Sequence, residues 1–334
     1  MWGIEGLLPE AFLLAVGFFA PRRDVGSVAL LLYAVATATQ IERSYFFSAF
    51  PAEVWLLISL FAGATLLAWH WHALPGEAIR VIFWIVATYG LLIRSRHLAW
   101  SWGLLESAAL GGYFFVAIVG KEKEKWRAAL RYFIWSVLGS ALILLGIALR
   151  LAEGHSLIYP LASGSTLSWA FLSWGWAIKV AFLPWHGWMM GLYRTLPLAW
   201  GAWFSVVPKG ALLLNFIYLL PEEGGVSLFL WYVFGVFSLL GGYAAAWAAS
   251  TPSEMLFWGT FAQAGYMVLA SVYGGEESAA AFWLVYGWAS LLSFLYVERP
   301  WRGRLGDGVG LLLLSNLAAL PPVLGFWVKV GLFW

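Results

Sequence analysis

Apolar stretches long enough to cross a lipid bilayer follow one another along almost the whole chain. A transmembrane helix needs about 20 apolar residues, or slightly fewer near the limit. Twelve stretches meet this requirement, at roughly residues 6–20, 24–41, 53–72, 78–94, 97–119, 128–151, 167–190, 197–220, 226–249, 253–273, 278–297 and 309–334. The connections are short, so the sequence predicts an all-α polytopic membrane protein of about 12 transmembrane helices, with residues 1–334 forming one membrane domain.

Composition supports this class and excludes several kinds of site. Hydrophobic residues make up 62% of the chain and charged residues 11%, against roughly 25% charged residues in soluble domains. The absence of cysteine excludes disulfides, cysteine-ligated zinc and iron–sulfur clusters. The formal net charge of +2 does not suggest nucleic acid as a partner. The first apolar segment lacks a basic n-region and a small-residue cleavage site, which favours a transmembrane helix over a signal peptide.

Basic residues concentrate in alternate loops, which predicts the orientation of the chain. The odd-numbered loops, counted by the helices that they join, contain Arg22, Arg23, Arg80, Lys121, Lys123, Lys125, Arg127, Arg131, Arg194, Arg299, Arg302 and Arg304. The even-numbered loops contain Arg43, Arg94, Arg96 and Arg150. We therefore expect the odd loops to be cytoplasmic and the N-terminus to lie outside, in the cytoplasmic (inner) membrane of a prokaryote.

Once charges near the helix ends are set aside, four charged residues fall inside predicted helices: Glu106, Lys179, Lys209 and Lys329. Each charge at the bilayer centre costs about 2.5–3.5 kcal/mol on insertion scales. A purely structural explanation is a buried ion pair that fixes helix packing. The alternative is a proton or ion path, because burial disfavours the charged form of lysine and a nearby carboxylate restores it. The number of titratable groups favours a path.

Proline interrupts two of the helices that contain a lysine. Lys179 and His186 are seven residues apart, which in an unbroken helix means about 10 Å along the axis and nearly the same face. Pro184 lies between them and should open the helix near residue 180. Pro321 and Pro322 precede Lys329 in the same way. Paired Pro-interrupted helices indicate an inverted-repeat transporter, whereas His186 alone fits either an interhelical hydrogen bond or a proton relay.

Several motifs carry a family resemblance in consistent order and spacing. They are LLPEAFLLAVG at the start, LLESAALGGYFF with Glu106, ALRYFIWSVLGSALILLGIAL, IKVAFLPWHGWMMGLY with Lys179 and His186, SVVPKGALL with Lys209, EMLFWGTFAQAGYMVLA, and LAALPPVLGFWVKVGLF with Lys329. Together they resemble the antiporter-like, proton-translocating membrane subunits of respiratory complex I, especially the subunit N members. These subunits are related to those of Na+/H+ antiporter complexes and membrane-bound hydrogenases.

The resemblance implies an inverted-repeat antiporter-like fold with the seventh and twelfth helices broken. The N-terminal helices 1–4 would cover residues 1–96, the first five-helix repeat 78–220, and the second repeat 226–334. The proton pathway would comprise Glu106, Lys179, His186, Lys209 and Lys329, with Gln263 secondary and helix breaks at Pro184, Pro321 and Pro322. No cofactor and no metal is implied, and redox chemistry would take place in partner membrane subunits of the assembly.

This chain departs from the family pattern at several positions. Met189-Met190 stands where the family has Pro-Asp, Ser253 and Glu254 replace a basic pair, and Gln263 replaces a histidine. The sequence also ends five residues after Lys329, so we expect the usual last two helices to be lacking and the second repeat to be incomplete. Two alternatives stay open: a subunit of an Na+/H+ antiporter or membrane-bound hydrogenase, and a structural subunit that does not pump.

Overall fold

The computed structural model describes Gly63 and residues 74–159, 161, 164–217, 226–300, 303–318 and 324–330. The first two predicted spans and nearly all of the third lie outside these residues, as do Pro321 and Pro322. The described part is all-helical apart from its connections and one isolated β-bridge, between His97 and Ile158. The predicted all-α class is therefore confirmed for this part of the chain.

Ten helices occupy the described residues: α1 (Gly76–Arg94), α2 (Leu98–Val119), α3 (Lys125–Ala152), α4 (Thr166–Val180), α5 (Gly187–Thr195), α6 (Leu198–Ile217), α7 (Val226–Trp247), α8 (Pro252–Glu298), α9 (Arg304–Ala318) and α10 (Leu324–Val330). Among them are six segments whose length and hydropathy suit a membrane span: α1, α2, α3, most of α7, and two successive parts of α8. The protein is therefore an integral membrane protein.

Helix α8 contains two predicted spans, 253–273 and 278–297, joined by a sharp bend. Gly275 adopts a left-handed backbone with φ +74° and ψ −170°, the only non-helical conformation within α8. Only glycine adopts this region without steric cost. The bend explains how a helix of 47 residues accommodates two membrane crossings.

The helix ends meet at two opposite faces of the bundle. At one face the backbone N–H of Lys121 donates to the carbonyl of Thr195 at 3.0 Å. At the other face the N–H of Leu98 donates to the carbonyl of Leu157 at 2.8 Å. The first hydrogen bond therefore joins two odd-numbered loops, and the second joins two even-numbered loops.

Helices α3 and α4 cross at a pair of glycines. A side-chain carbon added at Gly175 would lie 2.6 Å from the carbonyl oxygen of Gly139, and one added at Gly139 would lie 2.9 Å from the carbonyl oxygen of Gly175. Small residues allow membrane helices to approach closely in this way. The crossing places Ser136 and Ser140 of α3 beside Lys179 of α4.

Substituting Gly175→Ala should destabilise the protein, because the added methyl group meets backbone atoms of Gly139 and Ile143 as well as the Ile143 side chain. Overpacking of this kind costs about 1–3 kcal/mol, so the thermal unfolding midpoint in detergent should fall. Gly103→Ala on α2 is the control, because a carbon added there meets nothing within 4 Å. Equal midpoints for the two variants would contradict the close crossing.

Candidate proton pathway

Glu106 and Lys179 form an ion pair between α2 and α4. The Lys179 Nζ lies 3.0 Å from Glu106 Oε1, and the exposed fractions of the two side chains are 4% and 30%. The residues are 73 positions apart in sequence, so only the fold brings them together. The lysine is shielded from solvent and the carboxylate is partly accessible.

Two serines of α3 hold this ion pair on either side. Ser136 Oγ accepts a hydrogen bond from Lys179 Nζ at 3.1 Å. Ser140 Oγ donates to Glu106 Oε1, and the Ser140 carbonyl accepts from Trp102 Nε1 at 3.3 Å. The serines are four residues apart and therefore share one face of α3. They orient both charged groups, and sequence reasoning missed them.

Helix α4 ends one residue after Lys179, at Val180. The next residue, Ala181, has a left-handed backbone with φ 62°. Trp188 Nε1 donates to the carbonyl of Ile178 at 3.1 Å and satisfies part of this helix end. Lys179 therefore lies in the last turn of α4, directly before the break in the helix.

The connection between α4 and α5 is held by the second half of the chain. The backbone N–H of Leu183 donates to Ser238 Oγ of α7 at 3.1 Å. Phe182 packs edge-on against Trp231 of α7, with ring centroids 5.4 Å apart. Pro184 follows and is exposed. The backbone between the two helices is therefore fixed by side chains of α7.

A small cavity connects Lys179 with Lys209. Its lining includes Lys179, Lys209, Tyr132, Met189 and Pro208. About 30 Å³ within it is open to water, and one water molecule needs roughly 10–15 Å³. The cavity that both lysines line therefore has room for about two waters.

Lys209 is fully buried on α6. Its Nζ lies 4.0 Å from the centre of the Phe261 ring and has no hydrogen-bond partner among the described residues. Pro208 precedes it inside the helix, where proline removes a backbone hydrogen bond. The surroundings available to the amine are therefore the face of the Phe261 ring and the nearby cavity.

His186 lies at the N-terminus of α5 and faces Lys209 rather than Lys179. Its ring packs against Trp258 and Phe261 with centroid distances of 5.1 and 5.6 Å. His186 Nδ1 is 3.2 Å from the carbonyl of Pro184. Because α4 ends at Val180, the shared helical face expected for Lys179 and His186 does not form in the structure. His186 and Lys209 instead contact the same phenylalanine.

Lys329 of α10 is surrounded by three tyrosines of α7 and α8. Its Nζ donates to the Tyr243 hydroxyl at 3.1 Å and lies 4.4 and 5.0 Å from the ring centres of Tyr266 and Tyr286. Gln263 is buried on α8, about one turn before Tyr266. The sequence predicted Lys329 and Gln263 as site residues but not these tyrosines.

Arg150 is a buried charge that sequence reasoning placed in a loop. Its side chain has no exposed surface, its guanidinium donates to the carbonyl of Ser156 at 3.4 Å, and it lies 4.9 Å from the centre of the Trp169 ring. An arginine at a helix end resembles any loop cation in sequence, so no pattern distinguishes it.

No group of three or more His, Cys, Asp and Glu side chains that could hold a metal ion occurs within the described ranges.

Comparisons with known proteins identify the family and several relatives of this chain. The family described as NADH:quinone oxidoreductase/Mrp antiporter, TM, matches residues 95–305. The chain is 29% identical to NADH-quinone oxidoreductase subunit N of Geotalea uraniireducens, over 99% of this chain and 78% of that protein. It is 25% identical to NAD(P)H-quinone oxidoreductase subunit 2 of Thermosynechococcus vestitus over 78% of its own length, and spans 56% of that relative.

Solved structures show the same fold in chains of multi-subunit membrane complexes. A chain of respiratory complex I from Thermus thermophilus with bound aureothin superimposes with a TM-score of 0.82 at 23% identity, over 98% of this chain and 82% of that one. A chain of the Mrp complex from Dietzia sp. gives 0.79 at 18% identity, over 99% and 74%. Because the family match covers more than half of the 334 residues, this protein belongs to the NADH:quinone oxidoreductase/Mrp antiporter transmembrane family.

Proposed function

We propose that this chain is a proton-translocating membrane subunit of a complex I-type NADH-quinone oxidoreductase. Redox chemistry in other subunits would drive protons through its buried Glu, Lys and His groups. The observation that carries the proposal is the Glu106–Lys179 ion pair beside a water-sized cavity whose lining also includes Lys209. The names of the subunit N and subunit 2 relatives support the same assignment.

The geometry supports a two-position proton switch. While Glu106 stays 3.0 Å from Lys179, the carboxylate stabilises the protonated amine. If a conformational change withdraws Glu106, the buried ammonium loses its compensating charge and releases its proton. Water in the cavity is the nearest acceptor, and Lys209 lines the same cavity. Reversing the movement would reload Lys179.

The onward route leads from Lys209 towards the second half of the chain. His186 contacts Phe261 beside Lys209, which supports a side position at which a proton can be held. Gln263 lies two residues further along α8, and Lys329 is the final station. In this scheme His186 exchanges protons with Lys209 rather than directly with Lys179.

The proposed topology has about twelve helices, with inverted repeats over residues 78–220 and 226–334. Helices α4 and α5 would be the two halves of one broken span, and α9 and α10 the two halves of the other. Lys179 then lies in the first half of one broken span, and Lys329 in the second half of the other. The basic face with Lys121 and Arg194 would be cytoplasmic, which places the N-terminus outside the inner membrane.

A second candidate is a subunit of an Na+/H+ antiporter or a membrane-bound hydrogenase. The structural likeness to a chain of the Mrp complex favours considering it. Protons would then pass through the same buried lysines, but a source of energy other than NADH oxidation would drive them. A third candidate is a structural subunit that moves no protons, and the non-titratable Gln263 favours that alternative.

The direct test is to purify the assembly through an affinity tag on this chain and to identify its other subunits by mass spectrometry. In liposomes, NADH with a soluble quinone should drive proton movement that an uncoupler collapses and that does not require sodium. In a parallel experiment, hydrogen gas replaces NADH as the electron donor. Sodium-dependent proton exchange without an electron donor would establish the antiporter instead, and electron transfer without proton movement would contradict the proposal.

A further inference from the structure

The second half of the pathway contains a position where a proton has no ordinary acceptor. Gln263 stands between the Lys209 region and Lys329, and an amide side chain hydrogen-bonds without taking up a proton. Gln263 is 5% exposed, and its Oε1 has no hydrogen-bond partner among the described residues. A proton that reaches this region needs another group for transfer.

Tyr243 of α7 lies where that group is required. Its hydroxyl accepts the hydrogen bond from Lys329 Nζ at 3.1 Å. Its ring packs edge-on against the Tyr266 ring with centroids 6.1 Å apart, and Tyr266 lies about one turn after Gln263 on α8. Tyr243 of α7 therefore contacts both α8 and α10.

We propose that the Tyr243 hydroxyl relays protons between Lys329 and the Gln263 region, a role that rests on the proton-translocating function proposed above. A proton that arrives on a water molecule from the Gln263 side passes to the phenol oxygen. The phenol O–H proton leaves at the same time, to the neutral amine of Lys329. Lys329 becomes positively charged, Tyr243 stays neutral, and one proton has advanced. The hydrogen bond from Lys329 Nζ to the Tyr243 hydroxyl is the arrangement that follows this transfer.

The three tyrosines differ in how their hydroxyls are used. The Tyr286 hydroxyl donates to the carbonyl of Gly325 at 3.0 Å, so it anchors the start of α10. The Tyr266 ring lies closest to the Lys329 Nζ, at 4.4 Å, and stabilises the cation through its π face. Tyr243 supplies the oxygen that accepts the hydrogen bond from the ammonium, whereas its ring centre is further away, at 5.7 Å. Its hydroxyl is therefore the feature that packing alone does not explain.

The test is Tyr243→Phe in the assembled complex in membrane vesicles. The substitution keeps the ring and removes the relay oxygen. Translocation is measured as the part of proton uptake that disappears in Lys179→Ala. That part should fall roughly 100-fold, the low end of what a positioned proton-transfer group contributes. The amount of assembled complex is measured in the same vesicles, so that each rate refers to folded protein.

Tyr273→Phe is the matched control, since Tyr273 lies on α8 with 63% of its surface exposed. It should leave translocation unchanged. Tyr286→Phe loses a hydroxyl committed to a backbone carbonyl and should reduce translocation less than Tyr243→Phe does. Full translocation in Tyr243→Phe, or an equal loss in Tyr286→Phe, would overturn the relay. If Lys179→Ala itself retains full proton uptake, the proposed function fails first.

A second measurement separates proton transfer from positioning. A fluorinated tyrosine placed at position 243 keeps the ring and the hydroxyl but makes the phenol more acidic. The pH profile of translocation should then shift, with Tyr266, Tyr286 and Lys329 as the other titratable groups that surround the site. Fluorotyrosine at position 273 is the control. An unchanged pH profile of translocation with fluorotyrosine at position 243 would mean that Tyr243 contributes only packing.

Discussion

Lys179→Ala should abolish proton translocation through this subunit while the assembled complex continues to transfer electrons. Lys179 is the only described residue that both pairs with Glu106 and lines the cavity with Lys209, so its loss disconnects the carboxylate from the water. A positioned proton-transfer group typically contributes 100-fold or more, on the order of 10²–10⁴. Proton uptake and quinone reduction are measured in the same vesicles.

Stability should change much less than activity in this variant. Removing one partner of a fully buried ion pair costs about 3–5 kcal/mol, but Glu106 keeps the hydrogen bond from Ser140 Oγ and can become a neutral carboxylic acid when Lys179 is absent. Lys123→Ala, at an exposed position of the α2–α3 loop, is the matched control. Glu106→Gln should lower translocation nearly as far as Lys179→Ala. Undiminished pumping in Lys179→Ala would defeat the proposed pathway.

Lys209→Met should stop translocation and at the same time stabilise the protein. Lys209 is fully buried and its amine has no hydrogen-bond partner in the described part of the chain. An unsatisfied buried polar group costs about 1–3 kcal/mol, more when charged. Methionine has similar length and fills the space beside Phe261 without that cost. The thermal unfolding midpoint in detergent should rise while proton uptake falls.

Opposite effects on stability and activity distinguish a functional lysine from a structural one. Leu213→Met, one turn further along α6 and also buried, controls for the introduction of methionine into this helix. It should shift stability by less than about 1.5 kcal/mol and leave translocation intact. A lowered midpoint in Lys209→Met, with unchanged proton uptake, would mean that the amine serves only packing.

Most of the helix positions could be predicted from hydropathy alone. The predicted span 97–119 corresponds to Leu98–Val119, and 226–249 to Val226–Trp247, because a bilayer demands uninterrupted apolar length. The bend at Gly275 was expected only as a short loop. Its continuity with the helices on both sides depends on one left-handed glycine, which no hydropathy pattern records.

The charged residues of the site could be predicted, but their partners could not. A lysine within an apolar span is conspicuous in any sequence, whereas Ser136 and Ser140 are ordinary residues of a membrane helix. Their spacing of four would have suggested a common polar face on α3. The tyrosines near Lys329 gave no signal, because tyrosine in a membrane protein is equally expected at the interface. The approach of Lys209 to Phe261 depends on packing between α6 and α8, which spacing does not encode.

The hydrogen bond from Leu183 to Ser238 has a consequence for cooperativity. The N–H of Leu183 is released by the end of α4, and the oxygen that satisfies it belongs to α7. Leaving a buried donor unsatisfied costs about 1–3 kcal/mol, and this donor is partly buried, so local opening of the segment beside Lys179 is penalised unless α7 moves with it. The two parts of the molecule therefore share one opening equilibrium at this point, and hydrogen exchange at Leu183 should report motion of both.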